Sequence, residues 1–185
     1  VTIAYDALAF IVNTKNTDTL FKSTSIKALF TGKINKWNQI NPKSKLGDVK
    51  IVFDNEKSGN VYYFKEKYKL GDTLPSGFYA AQTNDEVIAY VEKNPNAIGV
   101  LSVNWISNKH DSISQKFLSR IKVVAVSPKL DPDGGYYYKP YQAYIADKSY
   151  PYTRNVYMIC RETFNGLGSG FMQFVAGEKG QRIIL

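Results

Sequence analysis

The chain has 185 residues, with 24 Lys and Arg against 16 Asp and Glu for a net charge of +8, and it is 44% hydrophobic and 14% aromatic. That length serves one mid-sized domain or two small lobes with a buried core, and the composition excludes an unfolded tail. A single cysteine, Cys160, excludes an intramolecular disulfide and a multi-cysteine metal site, while a single histidine, His110, excludes His-based zinc clusters and weakens any Ser/His/Asp triad.

No apolar run approaches the roughly 20 residues a bilayer-crossing helix needs, and no basic-then-apolar leader opens the sequence. The chain begins inside an apolar, strand-like segment, Val1 to Val12, and ends on Ile183-Ile184-Leu185. Natural termini are usually polar, so the sequence reads as a fragment of a longer protein.

After that first strand, Asn13 to Asp18 reads as a polar exit loop. A short helix follows, with Thr24 or Ser25 as its cap, Ile26, Leu29 and Phe30 on one face, and Gly32 as its stop. Val49 to Phe53 is a β-branched run suited to a buried strand, and Asp54 to Asn60 is the turn after it. A helix then carries Val61, Phe64 and Tyr68 on one face. Thr83 and Glu86 have capping-box spacing ahead of a helix striped by Val87, Ile88 and Val91, which Asn94-Pro95-Asn96 stops.

Ala97 to Val103 is the next strand and Ile121 to Val126 another. His110 sits in the polar stretch Ser107 to Asp111, which reads as a surface loop. Pro128 to Gly135 is expected to be loop, Pro140 to Ala146 a short helix and Thr153 to Cys160 a strand. Gly168-Ser169-Gly170 reads as a flexible turn before a helix carrying Phe171, Phe174 and Val175, and Gly177 to Leu185 as a last helix. Strands alternating with helices predict an α/β architecture.

Residues 13–69 hold 12 Lys, no Arg and five acids, so this stretch carries +7 of the total charge. A solvated lysine surface and a surface that attracts anions both fit that count. Nucleic acid is disfavoured as a partner, because the region has no Arg and no RNP-like or helix-turn-helix pattern. The run Tyr136-Tyr137-Tyr138, with Tyr141 and Tyr144, fits either a binding face or the packing of a loop.

Ser58-Gly59-Asn60 is the most suggestive chemical element. A small-residue turn entering a helix presents backbone N–H groups and the positive end of the helix dipole, which favours an anion. Ser58 adds a hydroxyl, Gly59 permits close approach and Asn60 adds an amide; the competing reading of Ser58 is a plain N-cap.

Five stretches act together: Tyr5 to Asn13, Leu29 to Trp37, Ser58-Gly59-Asn60, Asn96 to Val103, and Tyr150 to Met158. In order and spacing the sequence resembles the phosphate-binding proteins of ABC transporters, the PstS-like type II periplasmic binding proteins, along essentially its whole length. The resemblance implies two α/β lobes joined by two crossover strands, with the first lobe incomplete. Residues 1–13 would be a hinge or first-lobe strand, 14–149 the second lobe, and 150–185 the returning hinge strand with the C-terminal part of the first lobe.

It further implies a non-enzymatic solute-binding protein without cofactor or metal. Such a receptor holds phosphate or a related oxyanion in an interlobe cleft and delivers it to a transporter permease. A monomer in the periplasm or at the cell surface is expected, touching the membrane only through a lipid anchor outside this chain. The implied ligand-binding residues are Ser58, Gly59 and Asn60, with Asp54 beside them. Two positions depart from the family pattern: Asn60 stands where Thr is usual, and Asp54 where many members have an Arg that pairs with the anion. Lys57 is the nearby cation that could compensate. The alternative function is a sensor or surface interaction domain on the same fold with another ligand or none.

Overall fold

The computed structural model describes residues 1–106, 112–128 and 135–184, so His110 and most of the Pro128 to Gly135 stretch lie outside the described residues. In chain order the elements are β1 (Thr2–Asn13), β2 (Leu20–Lys22), α1 (Ser23–Phe30), α2 (Trp37–Ile40), β3 (Lys50–Phe53), α3 (Gly59–Tyr68), β4 (Phe78–Ala80) and α4 (Asn84–Lys93). They continue with β5 (Ala97–Ser102), a 3₁₀ turn (Val103–Trp105), α5 (Ser112–Arg120), β6 (Ile121–Val123), β7 (Ala125–Ser127), α6 (Gln142–Ala146), β8 (Thr153–Tyr157), α7 (Leu167–Ala176) and α8 (Glu178–Ile184). The fold is α/β, and none of the described helices is long and apolar enough to cross a membrane.

The chain divides into two compact units, one of Ala7–Tyr152 and one of Val1–Asp6 with Thr153–Leu185. In the larger unit the sheet runs β4-β3-β5-β1-β6, and β2 pairs with β7 in a separate two-stranded ladder. β3 lies parallel to both β4 and β5, while β1 is antiparallel to β5 and β6. Continuous burial of Ala7 to Val12 explains the unbroken apolar run of β1, which is a central strand covered on both faces. Phe30 stacks on Phe64 at 4.1 Å, and Phe53, Phe78, Tyr68 and Tyr152 close an aromatic cluster around that pair. This cluster packs α1 and α3 onto the sheet and so fixes where α3 begins.

In the smaller unit β8 pairs with β1. Val1 and Met158 exchange both backbone hydrogen bonds, and Arg154 pairs with Asp6 at 2.6 Å. Gln181 Nε2 donates to Ile3 O at 2.9 Å, tying α8 to β1.

Several expectations are corrected. Lys22, not Thr24 or Ser25, is the N-cap of α1, and no side chain caps that helix, since both hydroxyl residues fall inside its first turn. The run Ile121 to Val126 is two strands. β6 pairs with β1, whereas the Ala125 N–H turns to Thr19 O and starts β7 against β2. The strand expected to reach Cys160 ends at Tyr157. Gly168-Ser169-Gly170 is no turn before a helix: it lies within the first turns of α7. Thr83 Oγ1 does accept from Glu86 N at 3.2 Å, but the Glu86 carboxylate reaches Gln82 N, so the capping box is displaced by one residue.

Candidate functional site

Ile51, Val52 and Phe53 are buried in β3 and anchor the strand that leads into the candidate turn. Beyond it, Asn55 shapes the backbone: its Oδ1 accepts from Lys57 N at 2.8 Å and its carbonyl from Ser58 N at 3.2 Å. Ser58 then adopts the extended conformation of an N-cap, φ −70° and ψ 154°, and its Oγ accepts from Val61 N at 3.3 Å. The first i→i−4 bond of α3 runs from Tyr62 N to Ser58 O at 3.0 Å. Gly59 and Asn60 therefore occupy the two opening positions of α3, at the positive end of the helix.

The structure brings all four site residues of the sequence reading into one turn. Gly59 is exposed, Ser58 and Asp54 are half-buried, and Asn60 is 4% exposed. Asn60 Nδ2 donates to Asp54 Oδ1 at 3.3 Å. One amide proton of Asn60 is thereby turned onto Asp54, and the carboxylate becomes a brace across the turn. The Ser58 oxygen is engaged as an acceptor, and that bond does not use its O–H proton. The turn thus offers a hydroxyl proton and backbone N–H groups, all neutral donors at the positive end of a ten-residue helix. Lys57 is exposed beside it.

The other end of α3 holds residues that sequence reasoning did not single out. Lys67 Nζ lies 5.3 Å from the Tyr63 ring centroid and 5.2 Å from that of Tyr152, and it donates to Tyr63 Oη and to Pro151 O, each at 3.2 Å. Desolvation lowers its pKa. Tyr68 and Tyr152 share a 2.8 Å hydrogen bond between their hydroxyls, and burial pushes the Tyr68 phenol from its ordinary 10.0 to about 12. Tyr150 is fully buried, which pushes its phenol well up, and it donates to Leu8 O at 2.7 Å. In the sequence, Tyr68 appears only on the apolar face of this helix and Tyr150-Pro151-Tyr152 only at the start of a resembling stretch, with nothing linking them.

Tyr138 pairs with Val126 through both backbone groups, and its ring meets that of Tyr144 at 5.0 Å, so Tyr138 holds its loop onto the larger unit, while Tyr136 and Tyr141 stay exposed. In the smaller unit Glu162 accepts from Gly168 N and Ser169 N, each at 3.0 Å, which lowers its pKa and shows what occupies the start of α7. Two surface depressions, of about 80 and 330 Å³, are lined by residues of 29–51 and 75–78, apart from the Ser58 turn. No cluster of three or more metal-ligating side chains occurs among the described residues.

A family model described as a PBP superfamily domain matches residues 1–179. The chain belongs to the PBP superfamily. Among curated PBP relatives, the phosphate-binding protein PstS of Staphylococcus saprophyticus is 26% identical over 187 residues, covering 97% of this chain and 53% of that protein. The PstS of Staphylococcus aureus strain USA300 is 25% identical, covering 97% and 52%. The chain thus spans about half the length of the curated relatives it matches.

Among solved structures, an ABC-type phosphate transport receptor from Vibrio cholerae aligns with all of this chain and 68% of its own, with a TM-score of 0.73 and 19% identity, a likeness of fold. A substrate-binding protein from Clostridium perfringens, assigned to a phosphate ABC transporter and solved with bound phosphate, aligns with all of this chain and 68% of its own at a TM-score of 0.67 and 26% identity.

Proposed function

We propose that the chain supplies one oxyanion-binding lobe of a solute receptor for an ABC importer, with phosphate as the ligand and residues 14–149 as that lobe. Ser58, Gly59 and Asn60 are its donors. The observation that carries the reading is the start of α3, where the hydroxyl of a capping serine stands beside the two opening helical amides. Neutral donors suit phosphate because they stabilise its charge without fixed counter-ions and read its protonation through hydrogen bonding. The kinship with PstS proteins supports phosphate over other oxyanions.

On this reading the protein is a binding protein rather than an enzyme. It works outside the cytoplasmic membrane as a monomer and passes its ligand to a permease. β1 and β8, which pair with each other, carry the chain between the units at Asp6–Ala7 and Tyr152–Thr153. Titration calorimetry of the full-length gene product against phosphate, sulfate and amino acids tests the proposal. Saturable heat with phosphate is expected. Heat with an amino acid alone, or with none of the three, overturns it in favour of a sensor or interaction domain.

A further inference from the structure

Residues 19–47 contain six lysines, Lys22, Lys27, Lys33, Lys36, Lys43 and Lys45, and no aspartate or glutamate. All six are exposed, and none takes part in the ion pairs formed among the described residues. The fold gathers four of them, Lys22, Lys36, Lys43 and Lys45. β2 and α2 pack through Phe21 and Trp37, whose ring centroids lie 5.9 Å apart, and Lys22 and Lys36 are the chain neighbours of those two buried rings. Trp37 N donates to Gly47 O at 2.9 Å and Lys36 bridges to Asp48, which folds the loop carrying Lys43 and Lys45 back beside Lys36.

Lys36 and Lys45 line one open depression of about 330 Å³ with Asn38, Ser44, Gly47 and Asp48. Asp48 is the single carboxylate on that rim. Asp18, the acid just before the segment, is buried and accepts from Asn41 Nδ2.

We propose that this lysine face docks on the anionic phospholipid headgroups of a bilayer surface. Lysines present point charges to a diffuse layer of phosphate and lack the planar fork that Arg uses to read individual groups. Every aromatic residue of 19–47, namely Phe21, Phe30 and Trp37, is buried, so the face has no platform for stacking single-stranded nucleic acid. Leu20, 58% exposed beside Lys22, gains from a bilayer interface and gains nothing from a soluble polyanion. The inference goes beyond the receptor reading and leaves the Ser58 turn uninvolved.

Sedimentation of the chain with phosphatidylcholine vesicles, with and without phosphatidylglycerol, tests it. Binding only to the anionic vesicles is expected, weakening as salt shortens the screening length. At low salt Lys36→Gln/Lys43→Gln/Lys45→Gln lowers the partition constant about a hundredfold, because each lysine near an anionic surface is worth about a fivefold factor. Lys93→Gln/Lys116→Gln/Lys179→Gln removes the same charge elsewhere and changes it by about twofold at most. Unchanged thermal melting shows that both variants fold. Equal losses in the two variants, no sedimentation with anionic vesicles, or retention by soluble polyphosphate that vesicles fail to displace overturns the proposal.

Discussion

Ser58 has an oxygen that accepts and a proton that it can donate, and α3 uses only the first. The two roles are separable by substitution. Ser58→Ala removes both: it costs about 1 kcal/mol of stability through the lost cap and weakens phosphate binding by roughly tenfold through the lost donor. Ser58→Asp keeps a good cap, since aspartate accepts from the third helical amide as well as serine does, yet it sets a carboxylate against the anion. Thermal melting should therefore rank Asp above Ala, while calorimetry with phosphate should rank Ala above Asp. An affinity that tracks stability across both variants would reduce Ser58 to a cap. Asp54→Asn retains an oxygen to accept from Asn60 Nδ2 and removes the negative charge, so phosphate affinity is expected to stay equal or tighten; a tenfold loss would make Asp54 a ligand in its own right.

At the scale of elements, α3 is held at its far end by phenols that resist ionisation. Because the folded protein keeps the Tyr68 proton up to about 12 against an ordinary 10.0, this phenol's contribution is complete below pH 10. It is lost as pH rises from there through about 12. Tyrosinate absorbance should show Tyr68, Tyr150 and Tyr152 ionising only as the fold opens, and Tyr68→Phe should remove one of that late class. A single titration step for every tyrosine, with circular dichroism unchanged, would contradict this packing.

β5 supplies a sharper test. A Cβ on Gly99 would meet Ile11 Cγ1 at 2.7 Å and Val87 Cγ1 and Val91 Cγ2 at 2.9 Å each, which makes this glycine the point where α4 closes on the sheet. Gly99→Ala is expected to cost about 1–3 kcal/mol by overpacking, read from the denaturant midpoint. Such contacts explain what the sequence could and could not tell. α3 and α4 were legible because burial repeats at the helical period, β1 because an unbroken apolar run marks a strand covered on both faces, and the site turn because Asn55, Ser58 and Gly59 act locally. The split after Val123 was hidden because alternation along a strand says nothing of its partner. Here Val124 N turns to Phe10 O and Ala125 N to Thr19 O. Lys67 and the hydroxyl network of Tyr68 were missed because their partners Pro151 and Tyr152 lie 84 residues away, and no local pattern encodes such a pair.

Across the whole molecule the buried hydrophobic side chains are unevenly placed. The unit of Ala7–Tyr152 holds nearly all of them, whereas in the unit of Val1–Asp6 and Thr153–Leu185 only Val175, at 7% exposure, belongs to that set among the described residues. Ile159, Phe164, Leu167 and Ile183 of that smaller unit are 70–94% exposed. So little buried surface cannot offset the ordering of its backbone, and in this 185-residue segment the smaller unit is expected to unfold first. Hydrogen exchange should find amides of α7 and α8 exchanging faster than those of β1 residues 7–12.

The same imbalance bears on binding. Three donors on the Ser58 turn, at about 1.5–3 kcal/mol each, must first offset several kcal/mol of association entropy. The 185-residue segment alone should therefore bind phosphate with a Kd of about 1 mM or weaker. Since the curated relatives are about twice as long, the proposed function places the remaining donors of a tight site in the part of a PstS relative that this chain does not span. Calorimetry on the isolated segment and on the full-length gene product separates the cases. Micromolar binding by the segment would place the site elsewhere in residues 1–185, and weak binding by both would remove phosphate as the ligand.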